Sequence, residues 1–215
     1  MMRTIMVMNA KGGCGKSTLA TSLATYYANE DLAVTIADYD PQCSSLDWLA
    51  VRPADRPPIQ GLPAFRNGLR GLSRDTDVLI IDAPARVHGN EVKDMLKRAE
   101  TMIVPVLPSP IDMRAVVHFL NEVQATPQFQ NKEIRVGLVA NRVKSGTNIA
   151  LELDDYLTKV RMPYLTALRE TQNYNRAQTR GLGIFELPPY LAAPDWEYWD
   201  PLMKWLNSQR SLPQG

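Results

Sequence analysis

Apolar runs of strand length alternate with helix-length segments along most of this chain, and no other feature constrains its fold as strongly. The runs typical of buried strands are residues 4–8, 32–37, 78–81, 102–106 and 134–140. Between them, apolar residues at about every third or fourth position predict helices at 19–28, 44–49, 91–99, 115–123 and 149–160. Such alternation favours right-handed crossovers, so the sequence predicts an α/β fold with a mostly parallel central sheet and helices on both faces.

The rest of the chain fits one domain covering residues 1–215, a length sufficient for a large shared core. Residues 52–63 contain four prolines and are predicted to form a loop. After Pro163 the pattern predicts a short strand, a polar helix around 170–180, another short strand at 184–187 and a closing helix at about 195–207.

A glycine-rich loop follows the first apolar run. Residues 9–18 have the sequence Asn-Ala-Lys-Gly-Gly-Cys-Gly-Lys-Ser-Thr and lead directly into the first predicted helix. Glycines let backbone N–H groups turn toward phosphate oxygens, and the helix N-terminus adds the positive end of its dipole. Lys16 would bind the β- and γ-phosphates, and the Ser17 hydroxyl would bind Mg²⁺. The predicted phosphate-binding residues are Gly12, Gly13, Cys14, Gly15, Lys16, Ser17 and Thr18.

Carboxylates follow two further predicted strands. Asp82 comes after four apolar residues, in the manner of a Walker B motif, and is a candidate to hold Mg²⁺ through water. Asp40 follows the second strand and would orient the attacking water opposite the γ-phosphate, with a possible additional role at the metal. Asp38 would either anchor its loop or assist the metal. The alternative for all three is that they only cap helices.

The phosphate-binding loop has an unusual feature at its start. Ala10 occupies the position where the common motif has glycine, and a second lysine, Lys11, follows it. Lys-Gly-Gly-x-Gly-Lys-Ser resembles the deviant Walker loop of the ParA/MinD family of ATPases, and the resemblance extends from Met2 to about Tyr190. It implies a single-domain P-loop NTPase in which Lys11 reaches the ATP of a partner subunit. Lys11, Lys16 and Asp40 would then be the catalytic residues.

The same resemblance assigns residues to base recognition and self-association. Asn141 matches the position that contacts the adenine edge, and Pro188 lies in the region that packs on the base. Residues 104–112 resemble the proline-rich segment of small plasmid-partition ATPases, where it contributes to self-association. A stiff connection between strand and helix is the alternative for this segment.

Basic residues accumulate in the second half of the chain. Residues 168–186 resemble the family stretch in which arginines contact DNA phosphates, which implies sequence-independent and salt-sensitive binding. The candidate DNA-binding residues are Lys144, Arg161, Arg169, Arg176 and Arg180. A solvated basic surface is the alternative. The net charge is only +1, so binding to nucleic acid would have to come from such a local patch.

Composition narrows the other possibilities. Two cysteines, Cys14 and Cys43, provide no disulfide framework and favour a cytoplasmic protein, and they are too few for an iron–sulfur role. No run of apolar residues is long enough to cross a membrane. The C-terminal aromatic segment has few basic residues beyond Lys204 and Arg210, so it is expected to dock on the core and not on a membrane.

Together these features predict an ATP hydrolase, slow and stimulated by a partner. The resemblance implies a cycle in which ATP closes a homodimer, the dimer binds nonspecific DNA, and a ParB-like or McdB-like adaptor protein triggers hydrolysis. The protein would be nucleoid-associated and would position a plasmid, a chromosome or a protein body such as the carboxysome. Two alternatives are a MinD-like ATPase that cycles on a membrane and a metabolic enzyme of the same fold.

Overall fold

The computed structural model describes residues 2–213 and contains an all-parallel sheet of seven strands in the order β3-β2-β4-β1-β5-β6-β7. The strands are β1 (Arg3–Val7), β2 (Val34–Asp38), β3 (Ile59–Pro63), β4 (Val78–Asp82), β5 (Thr101–Val106), β6 (Arg135–Val143) and β7 (Tyr164–Arg169). The helices are α1 (Lys16–Asn29), α2 (Ser44–Ala50), α3 (Ala64–Asn67), α4 (Asn90–Leu96), α5 (Pro110–Gln124), α6 (Pro127–Gln130), α7 (Asn148–Lys159), α8 (Asn173–Gln178) and α9 (Pro189–Leu206). The α/β architecture predicted from the alternation is confirmed.

The core lies on both faces of the sheet, as expected for parallel strands covered by helices. Along β1, Ile5 and Val7 belong to the apolar cluster that includes α1 and α9, whereas Met6 belongs to the cluster that includes α4 and α5. All three side chains are fully buried. This alternation explains why the strand sequences are continuous apolar runs: each face of the central strands needs apolar residues.

The loop predicted for residues 52–63 is wrong at its end, because residues 59–63 form the edge strand β3 and pair with β2. An edge strand tolerates nearby prolines because one of its sides needs no backbone partner. Gly61 makes the packing of α2 on this strand possible, since a Cβ there would lie 2.8 Å from side-chain carbons of Leu46 and Leu49. The prolines made residues 59–63 resemble a loop, and the strand β2 with which they pair is distant in sequence.

The strand predicted at 184–187 is also wrong, because Ile184–Glu186 forms a 3₁₀ turn. The Glu186 carboxylate accepts a hydrogen bond from the Gly183 N–H at 2.9 Å and forms a buried ion pair with Arg52 at 2.7 Å. These contacts close the turn against the segment that follows α2. A short apolar run does not by itself distinguish a strand from a buried turn.

The closing helix α9 begins at Pro189, earlier than predicted, and packs against β7. Proline suits the first turn of a helix because the N–H that it lacks would have no intrahelical partner there. Trp199 and Leu202 are fully buried in the core, so the predicted docking of this segment is confirmed. Among residues 2–213, no helix combines the length and the apolar character that a membrane crossing requires.

Candidate active site

The phosphate-binding loop connects β1 to α1 and is shaped by Gly15. This residue has φ 93°, a left-handed conformation that side chains disfavour. A Cβ at Gly15 would also lie 2.3 Å from the Asn141 side-chain nitrogen. Both constraints require glycine immediately before Lys16. Cys14 is fully buried, and burial raises the pKa of its thiol, as expected for a small packing residue and not a nucleophile.

The two lysines of the loop have different environments. Lys16 is buried, and its ammonium donates to the Lys11 carbonyl at 3.2 Å, so it lies against the loop backbone. The Lys11 side chain is half-buried and forms no salt bridge or side-chain hydrogen bond with the described part of the chain. Lys16 is therefore built into its own loop, whereas the Lys11 ammonium is available to a group outside it.

Asp38 organises the loop after β2. It is fully buried; Oδ1 accepts from the Asp40 N–H at 2.9 Å, and Oδ2 accepts from the Ser45 N–H at 3.0 Å. Burial raises the pKa of Asp38, and the backbone N–H groups oppose that shift. Of the two roles considered for Asp38, these contacts favour anchoring of the loop.

Asp40 is held less tightly than Asp38. Its Oδ1 accepts from the Gln42 N–H at 2.9 Å, whereas Oδ2 forms no hydrogen bond with residues 2–213. Asp40 lines a cavity of about 340 Å³ with residues from the phosphate-binding loop and from the loop after β4. The lining residues are Gly12, Asp40, Pro41, Gln42, Pro84, Ala85 and Arg86. A free carboxylate oxygen beside the phosphate-binding loop is the arrangement that could orient a water molecule.

Asp82 ends β4, next to the middle strand β1 of the sheet, and is 1% exposed. Its Oδ2 accepts from the Ser45 hydroxyl at 2.5 Å, and its Oδ1 is buried with no partner among residues 2–213. Burial raises the pKa of Asp82 to about 6, a shift that the Ser45 and Ser17 hydroxyls oppose. A buried carboxylate oxygen without a partner is costly unless a cation or water satisfies it.

These residues fit a magnesium site of the kind that a bound nucleotide completes. Ser17 and Asp82 supply hard oxygen donors, and Asp82 Oδ1 has free acceptor capacity. Among residues 2–213, no cluster of three or more His, Cys, Asp or Glu side chains could hold a metal. Mg²⁺ is commonly bound by one or two protein groups together with waters and phosphate oxygens, and Ser17 and Asp82 would supply the protein groups.

A second cavity, of about 170 Å³, lies beside the start of α1. It is lined by Thr18, Asn141, Arg142, Glu170, Thr171, Gln172, Tyr174 and Asn175. The Asn141 side chain donates to the Cys14 carbonyl at 2.8 Å and accepts from the Arg142 N–H at 3.0 Å. Both ends of this amide thus have partners, and Asn141 is hydrogen-bonded to the phosphate-binding loop. Its contact with the adenine edge stays a prediction. Pro188, predicted to pack on the base, is exposed before α9 and is not among the lining residues.

The sequence reasoning missed Arg86, which shares the first cavity with Asp40. Its backbone adopts φ 64°, and its N–H donates to the Ala10 carbonyl at 2.8 Å, which ties the loop after β4 to the phosphate-binding loop. The available signal was its place a few residues after Asp82, in a loop that must pass the same edge of the sheet. Nothing in the sequence indicated that the segment around Gln172 would line the second cavity.

The structure separates the candidate DNA-binding residues into two groups. Lys144 follows β6, Arg169 ends β7, Arg176 lies on α8, and Arg180 follows that helix. Arg161 instead precedes β7, at the amino-terminal edge of the sheet, opposite the phosphate-binding loop. The expectation that all five act together is therefore not supported by their placement.

Arg169 and Arg176 have intramolecular partners. Arg169 forms an ion pair with Asp195, which is fully buried, and Asn173 donates to the same carboxylate at 2.7 Å. Arg176 donates to the Asn173 side-chain oxygen at 3.1 Å. The Asp195 ion pair raises the pKa of Arg169. This network joins β7, α8 and α9, so Arg169 has a structural role whatever else it contacts.

Fold and site together define a class: α/β nucleotide-binding proteins with a phosphate-binding loop after the first strand and acidic residues at the ends of neighbouring strands. The CbiA family pattern, described as the CobQ/CobB/MinD/ParA nucleotide binding domain, matches residues 5–184. The chain belongs to this family.

Individual relatives agree with that assignment. The maintenance of carboxysome distribution protein A of Halothiobacillus neapolitanus is 23% identical over 197 residues, covering 86% of this chain and 87% of the relative. The chromosome-partitioning ATPase Soj of Thermus thermophilus is 27% identical over 190 residues, with 73% and 76% of the two chains covered.

Solved structures show the same fold. Apo McdA of Cyanothece superposes with a TM-score of 0.74 at 18% identity, covering 94% of this chain and 100% of the other. MinD of Pyrococcus horikoshii OT3, solved as a complex with Mg-ADP, has a TM-score of 0.70 at 15% identity, with 97% of each chain covered.

Proposed function

We propose that this protein is a magnesium-dependent ATPase that closes as an ATP-bound homodimer, binds DNA without sequence preference and positions a cargo through an adaptor protein. The observation that carries the proposal is the convergence of three features at one edge of the sheet. They are the phosphate-binding loop, the partnerless oxygen of Asp82 and the free oxygen of Asp40. The relatives of this chain, which include a carboxysome-distribution protein and a chromosome-partitioning ATPase, support the proposed positioning role.

The residues of the site divide the work of hydrolysis. The loop N–H groups and Lys16 bind the phosphates, and Ser17 and Asp82 hold the magnesium ion, which screens the phosphate charge. The Asp40 carboxylate orients the attacking water through Oδ2, while its Oδ1 is fixed by the Gln42 N–H. Phosphoryl transfer depends mainly on positioning and charge stabilisation, so this small set of groups is sufficient.

The dimer would complete the site through Lys11. An ammonium without a partner among residues 2–213 can reach a phosphate bound by a second copy and add positive charge where negative charge develops. Such an arrangement makes hydrolysis conditional on association. A slow basal rate would follow from this dependence on association, and an adaptor that acts on the dimer would stimulate hydrolysis.

Analytical size-exclusion chromatography with light scattering tests the dimer directly. With Mg²⁺ and ATP, Asp40→Ala is expected to elute as a stable dimer, because it binds ATP without turning it over. Lys11→Ala in the same background is expected to stay monomeric. Lys93→Ala, at an exposed lysine on α4, is the matched control and should dimerise normally.

Two further measurements separate this function from its rivals. ATP-dependent co-sedimentation with nonspecific DNA is expected, and co-sedimentation with anionic lipid vesicles is not.

Three outcomes would contradict these proposals. If the protein stays monomeric with every nucleotide, even as Asp40→Ala, the proposed dimer is wrong. Unchanged ATP affinity and turnover in Lys16→Ala would overturn the ATPase itself. Binding to vesicles and not to DNA would favour a membrane-cycling ATPase of the MinD type.

A further inference from the structure

A basic cavity lies at the edge of the sheet opposite the phosphate-binding loop. It has a volume of about 370 Å³ and is bounded by the starts of β6 and β7, α6 and the end of α9. Four of its lining residues are cations: Lys132, Arg135, Arg161 and Arg210. The nine residues of β6 separate it from the ATP site by roughly 25 Å.

The cations of this cavity have no ion-pair partner within the described part of the chain. No carboxylate lines it, and none of its four cations forms a salt bridge within residues 2–213. Arg135 uses its Nε to donate to the Leu212 carbonyl at 3.1 Å, which positions the guanidinium at the cavity. Elsewhere on the surface, cations such as Lys97 and Lys159 pair with neighbouring aspartates. In a chain of net charge +1, four unpaired cations around one cavity are a strong local excess.

The floor of the cavity is apolar. The apolar lining residues Ile134, Val136 and Met162 are buried, Phe129 and Trp205 are half-buried, and Pro163 lies exposed beside them. The ring of Trp205 approaches Gly137 of β6, where a Cβ would lie 3.2 Å from it, so the indole is packed onto the sheet and holds the floor in place. The cavity therefore combines a positively charged rim with an apolar base.

We propose that the basic cavity binds an acidic peptide segment of a partner protein, with one apolar side chain on the floor and flanking carboxylates on the rim. A volume near the lower end of the range of ligand sites suits one anchoring side chain. Duplex DNA fits less well, because its phosphates have no apolar group to occupy a recessed floor. The site is separate from the ATPase site, so docking here would leave the nucleotide accessible.

Fluorescence anisotropy with the full chain tests the proposal. The probe is a short fluorescein-labelled peptide with a central tryptophan and leucine flanked on both sides by aspartates. Saturable binding is expected, weakened by salt and weakened about tenfold or more in Lys132→Glu/Arg210→Glu, because two attractive charges become repulsive. Arg56→Glu/Arg74→Glu makes the same charge change at exposed positions elsewhere and should bind like the wild type. Arg161→Glu alone provides a second rim variant should the double variant fold poorly.

Each comparison can overturn the proposal. Failure of the wild type to bind at millimolar peptide would do so, as would equal weakening in both double variants. Equal binding of a peptide with asparagines in place of the aspartates would exclude a charge-dependent site. Competition by duplex DNA or anionic vesicles stronger than by unlabelled peptide would assign the cavity to those ligands. Basal ATP hydrolysis, measured in parallel, is expected to be unchanged in Lys132→Glu/Arg210→Glu, so this result is distinguishable from failure of the ATPase proposal.

Discussion

The aspartates at the ends of β2 and β4 differ in their hydrogen bonds, although both follow a buried strand. Asp38 and Asp82 both end buried strands. Both oxygens of Asp38 accept backbone N–H groups, whereas one oxygen of Asp82 has no partner among residues 2–213. The first carboxylate therefore stabilises its loop, and the second costs free energy of folding that a bound cation would recover.

Replacement of these two aspartates by asparagine is expected to have opposite effects. Asp82→Asn should raise the free energy of unfolding of the protein without ligands by about 1–3 kcal/mol at neutral pH, because it removes a buried charge whose pKa is raised. Asp38→Asn should lower it by about 1–3 kcal/mol, because an amide N–H₂ replaces an acceptor that faces backbone donors. Urea unfolding measures both. Destabilisation by Asp82→Asn would contradict the assignment of a partnerless oxygen.

The contact between Gly15 and Asn141 gives a second prediction at this scale. Gly15→Ala should destabilise the protein by about 2–4 kcal/mol, from the left-handed backbone and from the clash with the Asn141 amide. In an Asn141→Ala background the clash is absent, so only the backbone cost of about 1 kcal/mol should remain. A double-mutant cycle by urea unfolding measures the coupling. Additive effects would show that the amide does not lie under the loop.

At the scale of elements, the packing of β7, α8 and α9 is organised by one buried carboxylate. Asp195 of α9 is fully buried and binds Arg169 at the end of β7 and Asn173 at the start of α8. Asn173 also donates to the Leu191 carbonyl at 2.9 Å. The segment that lines the smaller cavity beside the phosphate-binding loop is thereby tied to the C-terminal helix.

Arg169→Ala is expected to destabilise the protein by about 2–4 kcal/mol, because it leaves the buried Asp195 charge without its cation. Asp195→Asn in the same background should recover most of that loss, since the neutral amide needs no counter-charge. Arg180→Ala, at an exposed position, should change stability by less than about 0.5 kcal/mol. Thermal and urea unfolding measure the stability of each variant. Wild-type stability in Arg169→Ala would show that the ion pair is not structural, and a loss of DNA binding there could then be read as a direct contact.

At the scale of the whole molecule, the parallel sheet keeps the phosphate-binding loop and the basic cavity at opposite edges. The residues predicted to bind the nucleotide lie at the carboxyl ends of the strands, and Lys144 and Arg176 lie beyond the same ends of β6 and β7. The amino-terminal edge carries the basic cavity with Arg161. Parallel strands impose this division because all of them point the same way, so residues that follow strands and residues that precede them lie at opposite edges.

DNA binding should follow that division. Lys144→Glu/Arg176→Glu is expected to weaken ATP-dependent binding of a labelled nonspecific duplex about tenfold or more and to reduce its salt dependence. Arg161→Glu, which changes charge at the other edge, should bind the duplex like the wild type. Anisotropy titrations at several salt concentrations measure both. Equal weakening by the two variants would place DNA across both edges of the sheet.

The sequence by itself determined the alternating α/β architecture and placed the glycine-lysine loop and the aspartates at the strand ends, because apolar periodicity and the loop motif are local signals. It could therefore identify Lys16, Asp40 and Asp82 as a site, although their roles in catalysis are still predictions. Only the tertiary structure decided the edge strand β3, the turn at Ile184–Glu186, the binding of Asn141 to the loop carbonyl and the position of Arg161. Each of these depends on which distant segment packs alongside, a property of the assembled core and not of neighbouring residues along the chain.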